Sequence, residues 1–565
     1  MKFLLCADLP DGAWLSGPWR NSGLTCDRVR TISPAHSSVK PGLPLRPGRK
    51  NKFRCARGQE PGGCQFPGQG SRSDPLTWRW GILSNRIWQF QSEEIFLEKH
   101  TSKNYDVIVV GGGNAALCAA ISAREAGARV LVLECSPENE RGGNTRHTRN
   151  IRCTHAAADQ FFSGPYSEEE HLQDLIGVTG GPANLDLAKL AVRESSLLPA
   201  WMSGHGVHWQ QPLAGTLHLG RTNRWFLGGG KAMLNTYYRE AARMGIEVRY
   251  NARVEELVIE NNRFDAVRLA SASGGAGEVI RGGAVAIAAG GYEANIEWLK
   301  RHWGDAADNF IIRGSAYNDG QLLAALLKCG AKSMGDPKGF HAIAVDARAP
   351  KFDGGIVTRL DVVPFGIVVN RDARRFYDEG QDIWPKRYAI WGTLIAGQPG
   401  QIAYGIVDAK AIDRFLPPMF KPYRADTLEA LAEKLGLDAR TFAETVTEYN
   451  RASAANTEIH MERLDGVGTK GLTPPKSNWA MPIDRPPFYG LPLRPGITFT
   501  YMGVAVDECA RVLDQSGRPF PNVHAAGEIM SGNILTKGYL GGFGLTIGSV
   551  FGQIAGREAA ANARA

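Results

Sequence analysis

The sequence has little of what would tie it to a membrane, a disulfide framework or a metal cluster. Its nine cysteines among 565 residues (Cys6, Cys26, Cys55, Cys64, Cys118, Cys135, Cys153, Cys329 and Cys509) are odd in number and scattered. None form a Cys-x-x-Cys pair or an iron–sulfur spacing, which argues for a reducing compartment and against a metal centre. No apolar run approaches the roughly 18 residues of a membrane helix, so no direct membrane insertion is expected. A basic body is also lacking. Net charge is +8, but residues 1–92 hold fourteen Lys and Arg against five Asp and Glu, so the remainder carries −1. That distribution offers no footprint for nucleic acid. Methionine is absent between Met1 and Met202.

What is present suits a globular protein: 43% hydrophobic and 22% charged residues, in a chain long enough for two or more domains. Residues 1–100 stand apart. They are rich in Arg, Gly, Pro and Ser, show little periodicity, and carry five of the thirteen tryptophans. The stub "MKFLLCADLP" is too short for a signal-peptide core. Translated upstream sequence, a disordered tail and an organelle transit peptide are the readings of this leader. The first would need an alternative initiation codon, at a residue such as Leu97.

"YDVIVVGGGNAALCAAISAREAGARVLVLE" (105–134) carries the strongest signal. A β-branched run meets glycines, a helical pattern follows, and "ARVLVLE" supplies a second strand. This is the context that gives a G-x-G-x-x-G match its meaning. Gly111 permits the tight turn, Gly113 lets the backbone approach a pyrophosphate, and Ala116 takes the third glycine's packing role. Asn114 and Ala115 open the helix. Glu134, 23 residues after Gly111, stands where an acid bonds an adenosine ribose hydroxyl and disfavours a 2′-phosphate. Further strands end in glycine far along the chain. "GGAVAIAAGGYEAN" (282–295) runs into Ala289, Gly290 and Gly291, and "NVHAAGEI" (522–529) into Gly527 and Glu528. "GYLGGFGLTIGSVFGQIAGREAA" then enters a terminal helix near Gly542 and Leu545, whose N-terminus suits an anionic ring edge. A nucleotide gripped by both ends of a long chain is large and tightly held, and FAD fits better than exchangeable NAD.

"ERGGNTRHTRNIRC" (140–153) crowds Arg141, Arg146, Arg149 and Arg152 directly after the second strand. Gly143, Asn144 and Thr145 are expected to bond the cofactor. A spacing of three would align residues 146, 149 and 152 on one face of a helix. "HLGRTNR" adds His218, Arg221 and Arg224. So much guanidinium suits an anionic ligand, substrate or pyrophosphate, because its planar fork binds such oxyanions in bidentate fashion. A solvated basic face is the other reading for any one of them.

From about 103 to 565 the chain resembles the fumarate reductase/succinate dehydrogenase flavoprotein superfamily, and within it the FAD-dependent tricarballylate dehydrogenases. The stretches carrying the likeness are "RGGNTRHTRNIRC", "GTLHLGRTNRWFLGGGKAMLNTYYREA", "LRPGITFTYMGVAVDE" and "AAGEIMSGNILTKGY". The resemblance implies an α/β fold: a Rossmann-like, glutathione-reductase-like FAD-binding domain with an inserted α+β capping domain. The expected division is a leader at 1–100, FAD-binding parts at 103–325 and 481–565, and a cap at 326–480. Within the cap, 426–452 reads as two amphipathic helices hinged at "GLD".

The resemblance implies non-covalent FAD, with His147 in the region where some relatives attach the cofactor covalently. In "VNRDARRFYDE" it places an acid/base arginine at Arg375, beside a more ordinary Arg374. It places a carboxylate-binding histidine at His341, and Tyr539 of "GYLGG" where relatives carry a carboxylate-clamping arginine. Arg146, Arg149, Arg221 and Thr358 complete the expected substrate contacts. The departures point away from fumarate. "PGITFTYMG" puts Thr498 and Phe499 in place of a histidine segment, and Arg359 and Val362 stand where a proton-delivering Glu and Arg belong. The implied activity is oxidation of tricarballylate to cis-aconitate, with electrons passed to a separate membrane-bound iron–sulfur protein. The enzyme would be cytoplasmic, peripheral to the inner membrane through that partner. A related di- or tricarboxylate enzyme, a CobZ-like flavoprotein of cobalamin synthesis, and a flavin subunit without carboxylate chemistry are the alternatives.

Overall fold

A computed structural model describes residues 105–211, 219–271, 277–453 and 459–564. The leader and His218 lie outside the described residues.

The β-branched run becomes strand β1 (Tyr105–Val110), the helical pattern α1 (Asn114–Glu125), and the second apolar run β2 (Val130–Leu133). β1 lies inside an eight-stranded sheet. It runs parallel to β2, with Val107 opposite Val130, and parallel to Val279–Ile287 on its other side, with Val107 opposite Ala284. Pro519–Ala525 extends the parallel set beyond, and Glu247–Arg249 does so past β2. Parallel strands are covered on both faces, which is why these segments read as unbroken apolar runs. Val107, Ile108, Val109, Leu131 and Val132 are fully buried, each contributing about 1.5–3 kcal/mol. The strands β1, 279–287 and 519–525 end side by side, and the turns after them open one cleft at the sheet's carboxyl edge.

The terminal helix Phe543–Asn562 packs along α1 almost backbone to backbone. A Cβ on Gly552 would sit 2.5 Å from the Ala115 carbonyl, and one on Gly556 would sit 2.2 Å from that of Ala119. Glycine is required there by proximity, since both residues are ordinary helix positions. The amide of Asn114 adds a polar tie, donating to Ser549 Oγ at 3.0 Å and to the Leu545 carbonyl at 3.3 Å. The two ends of the described chain are thereby joined at the cleft.

A second, six-stranded sheet is built on the long strand Phe488–Thr500. Phe340–Asp346, Ala403–Val407 and Tyr423–Ala425 pair with it antiparallel, Ile311–Ile312 pairs parallel, and Ile367–Asn370 lies outermost beside Ala403–Val407. Helices Leu428–Leu435 and Ala439–Ala452 cover it, joined through Gly436 in the left-handed region at φ 68°. Leu431, Phe442, Val446 and Tyr449 pack with Ile367 and Ile406 in one core. The fold is the α/β arrangement expected, a Rossmann-like unit with an α+β cap between its parts.

The arginine stretch forms no continuous helix. Gly143–His147 is a 3-10 turn and Asn150–Arg152 a strand paired with Asn223–Phe226. Residues 146, 149 and 152 therefore share no helical face. The turn ends at Thr148, whose backbone is extended (φ −86°, ψ 168°), before Arg149 and Arg152 are reached.

Candidate active site

The cleft at the carboxyl edge of the first sheet measures about 1620 Å³, including its open mouth. At one end the backbone does the work. Gly111 (φ 117°) turns the chain so closely under the neighbouring strand that a Cβ would meet the Ala288 carbonyl at 2.3 Å. Gly112 is equally constrained, since a Cβ there would lie 2.1 Å from Glu134 Oε2. Gly113, in contrast, leaves room, with its nearest neighbour, Thr145 Oγ1, at 3.4 Å from such an atom. α1 carries no acidic residue in its first turn, so its N–H groups face the cleft uncompensated and suit a pyrophosphate. Thr145 Oγ1 accepts from the Asn114 N–H at 3.0 Å and fixes that turn. Glu134 is buried with one oxygen held by the Ser136 N–H at 2.9 Å, which leaves the other to receive a ribose hydroxyl.

Midway along the cleft two carboxylates are buried together. Glu293 accepts from Asn144 Nδ2 at 2.6 Å and from Asn318 Nδ2 at 2.8 Å, and its second oxygen has no partner among the described residues. Glu528 accepts from the Thr500 N–H at 2.7 Å and hydroxyl at 3.1 Å, and Asn144 Nδ2 bridges to it at 3.3 Å. Burial raises both carboxyl groups above their usual range; Glu293 raises Glu528 further, whereas hydrogen bonding to Glu528, Asn144 and Asn318 partly offsets the rise at Glu293, so Glu528 is raised furthest. Like charges in a dry site cannot both ionise freely, so the pair holds a proton.

The other end is a ring of side chains. Arg149, Arg313, Arg359, His341, Tyr388 and Tyr539 line it, with Leu219, Ile356 and Phe499 between them. Arg313 is buried and donates Nε–H to Thr498 Oγ1 at 2.7 Å. Arg149 stacks over Trp225 at 5.2 Å. Neither has a carboxylate partner among the described residues. Both are pushed down to about 10, first by desolvation in the cleft wall and further by neighbouring Arg359, and both remain cations at neutral pH. Arg359 is partly neutralised by Asp361, whose Oδ1 accepts its Nε–H at 2.6 Å, and it lies over the Tyr388 ring at 4.4 Å. His341 is held neutral, well below the usual imidazole range, by burial and by Arg313. Its Nε2 lies 3.4 Å from the Tyr388 hydroxyl, its Nδ1 has no partner among the described residues, and its ring stands edge-on to Tyr539 at 4.0 Å. The Tyr539 oxygen accepts the Gly544 N–H at 2.9 Å.

Gly111, Gly113, Asn114, Ala115, Glu134, Gly143, Asn144, Thr145, Ala289, Gly290, Glu528, Gly542 and Leu545 all line the cleft, as do Arg149, His341 and Tyr539. Four residues expected at the substrate end do not line it. Arg375 stands away from the cleft wall. It is locked to Glu379 by two bonds of 3.0 and 2.5 Å and donates to the Pro474 and Pro475 carbonyls. Burial disfavours its charge, but Glu379 outweighs this and the guanidinium is net raised, the opposite of what a base needs. Arg146 is spent on Asp353 and the Glu140 carbonyl. Arg221 forms a fork with Glu170 and also donates to the Pro165 carbonyl. Thr358 turns its hydroxyl back onto the Gly355 carbonyl at 3.0 Å.

The remaining arginines also have structural tasks. Arg152 props the Gly541 carbonyl from behind at 3.2 Å, Arg224 pairs with Asp159, and Arg141 binds Glu138 and Tyr250. His147 lines the cleft but pairs with Asp353 at 2.5 Å. Sequence reading missed Gly112, Glu293, Arg313 and Tyr388, and took Arg359 only as a departure. Gly112 stood in plain view between the two motif glycines. Arg313 and Tyr388 carry no local pattern that would have marked them.

Residues 106–545 match the family model described as FAD binding domain. The chain belongs to this family. The cradle fits that cofactor: a glycine turn without room for Cβ, uncompensated helix N–H groups and a buried ribose acceptor lie along one cleft. The chain is 26% identical over 474 residues to the NADH:fumarate oxidoreductase of Klebsiella pneumoniae, covering 82% of this chain and 48% of that protein. It is 27% identical over 486 residues to the probable fumarate reductase Ifc3 of Shewanella frigidimarina, covering 82% and 76%. The chain thus spans about half the length of the Klebsiella relative. Among solved structures, the open form of a flavocytochrome c3 fumarate reductase superposes with a TM-score of 0.62 at 23% identity, covering 81% of this chain and 78% of that one. This likeness shows the shared fold. No described helix is long and apolar enough to cross a membrane.

Proposed function

We propose that this FAD-binding protein is an oxidoreductase acting on the CH–CH bond of a small polycarboxylate, with tricarballylate oxidised to cis-aconitate. The observation that carries the reading is the ring of Arg149, Arg313 and Arg359 at one end of the cofactor cleft. Arg149 and Arg313 have no carboxylate partner among the described residues, and cations so held in a dry wall are costly unless an anionic ligand compensates them. His341, neutral, can donate an N–H to a carboxylate without adding charge. FAD, held by the glycine turn, Glu134, Asn144 and the Gly542 helix end, supplies a two-electron hydride acceptor. The protein's own side chains bind and orient the acid, and the cap, with His341 on a strand and Arg359 on a turn, screens it from water. Reduced cofactor would then pass its electrons to a separate membrane-bound iron–sulfur protein.

A dicarboxylate enzyme, like the fumarate reductases that the relatives' names describe, is the second reading. The pairing of Arg359 with Asp361 favours it, because two guanidiniums rather than three are then fully free. The test is anaerobic: FAD-loaded protein is mixed with tricarballylate, and separately with succinate, while flavin absorbance is followed. Bleaching by tricarballylate alone supports the first reading and bleaching by succinate alone the second. No bleaching by either, and no reoxidation of reduced protein by cis-aconitate or fumarate, would remove carboxylate redox chemistry.

A further inference from the structure

Oxidation of a CH–CH bond removes a hydride from one carbon and a proton from its neighbour, so the site needs a group to take that proton. The ring of side chains offers few. Arg149 and Arg313 stay cationic, and a charged guanidinium has no lone pair to offer. Arg375 is sealed against Glu379 away from the cleft. The Tyr539 oxygen already accepts the Gly544 N–H, which makes it the poorer proton acceptor. Tyr388 is different. It projects from the cap segment Trp384–Ile390 to the cleft wall, and its hydroxyl sits 3.4 Å from the place a Cβ on Gly541 would take, beside the turn that starts the terminal helix. Its one hydrogen-bond neighbour among the described residues is His341 Nε2, at 3.4 Å, and Arg359 lies over its ring.

We propose that Tyr388 is the catalytic residue that exchanges a proton with the substrate carbon, and that His341 relays that proton behind it. The inference rests on the carboxylate reading above. In oxidation the substrate C–H bond breaks toward the Tyr388 oxygen, and that bond's electron pair becomes the second bond of the alkene. The hydrogen of the adjacent carbon would leave with both electrons, for which bound FAD would be the two-electron acceptor, so the substrate would be oxidised by two electrons and the cofactor reduced by two. As Tyr388 takes the new proton it gives its own to His341 Nε2, and reduction of an alkene runs the same transfers backward.

The surroundings suit a relay better than a standing phenolate. Burial raises the Tyr388 phenol, and Arg359, Arg313 and Arg149 only partly offset this, so it stays protonated until the transfer. His341 is kept neutral by burial and by the field of Arg313. Carboxylates docking on Arg313 and Arg149 cancel that field, so the imidazole becomes a better acceptor only once substrate is seated.

The test uses FAD-loaded full-length Tyr388→Phe and His341→Gln proteins with two readouts. Tricarballylate binding is read from the rise in unfolding temperature it causes, and the chemical step from stopped-flow flavin bleaching. Tyr388→Phe is expected to keep the thermal shift and to bleach about 10²–10⁴-fold more slowly, the usual range for a lost acid–base group. Its residual rate should climb with pH as hydroxide replaces the phenol, a dependence that a merely misplaced substrate would not show. Bleaching of Tyr388→Phe within threefold of wild type overturns the inference while leaving the carboxylate reading intact. So does a loss confined to Arg359→Lys, which would move the proton to the guanidinium. Wild-type protein inert to every acid, in either direction, instead removes the reading on which the inference stands.

Discussion

The nucleotide end of the cleft is made from backbone, whereas the carboxylate end is made from side chains. At the first, turns after three parallel strands present N–H groups and bare glycines, and the geometry is fixed by sheet register and by the close contact of α1 with the terminal helix. At the second, Arg149, Arg313, His341, Arg359, Tyr388 and Tyr539 arrive from six separate segments, three of them from the cap. Backbone sites tolerate substitution wherever no Cβ enters the cradle. Side-chain sites stand or fall on single residues. Mutations at the two ends should therefore fail in different ways: loss of cofactor at one, loss of chemistry with cofactor retained at the other.

The largest effect should come from an arginine belonging to neither end. Arg375 and Glu379 are an almost fully enclosed pair, 4% and 0% exposed. Removing one partner strands a buried charge, at about 3–5 kcal/mol. Arg375→Met should lose that much stability in denaturant unfolding, and Arg375→Met with Glu379→Leu should recover most of it. The double variant should still be bleached by substrate at close to the wild-type rate. A folded double variant with flavin bound that cannot be bleached would return Arg375 to the chemistry.

A paired substitution tests the two ends directly. Arg313→Ala should retain FAD, yet lose kcat/KM toward the carboxylate by about 10²–10³-fold, in keeping with the 2–5 kcal/mol of a buried, hydrogen-bonded ion pair. Gly112→Ala should do the reverse. Its methyl group enters the space of Glu134 Oε2, so stability falls by about 1–3 kcal/mol through overpacking. FAD affinity should fall with it, while any holoenzyme that forms turns over normally. Cofactor content by absorbance and steady-state kinetics separate the cases. Equal loss of FAD in both variants would mean that the two ends are not independent.

The same contrast explains what could be read from the sequence. The strand–glycine–helix pattern, the acid at Glu134 and the later glycine-ended strands are local signals, and each maps onto the cleft because backbone geometry follows from local sequence. Arg149 and His341 were also placed in the cleft, one by a cluster of arginines and one by resemblance. Arg375 lies off the cleft although a motif marks it, because a motif position reports neighbours in the chain, not partners in space such as Glu379 and the Pro474 and Pro475 carbonyls. Arg221 and Arg146 lie off it for the same reason, paired with Glu170 and with Asp353. Arg313 follows a two-residue strand whose register against Ile497 is a tertiary fact, so no periodicity could have aimed it at the cleft.

The smallest expected effect lies where the two ends meet, at Glu293 and Glu528. Burial raises both carboxyl groups above their unfolded range near 4.3, and the charge of Glu293 raises Glu528 further. A raised acid binds its proton more tightly in the folded state. Its favourable contribution is therefore complete below the unfolded value and is lost as pH rises through the folded one. Cofactor-free wild-type protein should lose unfolding temperature between pH 5 and pH 8 for this reason, among others. Glu293→Gln keeps an oxygen for Asn144 and Asn318 but has no proton to lose and no charge to repel Glu528. The variant should therefore show a shallower fall over the same interval and gain most, relative to wild type, at pH 8. Parallel pH profiles for the two proteins would show that the carboxylates ionise independently, and the shared proton between the two ends of the cleft would have to be given up.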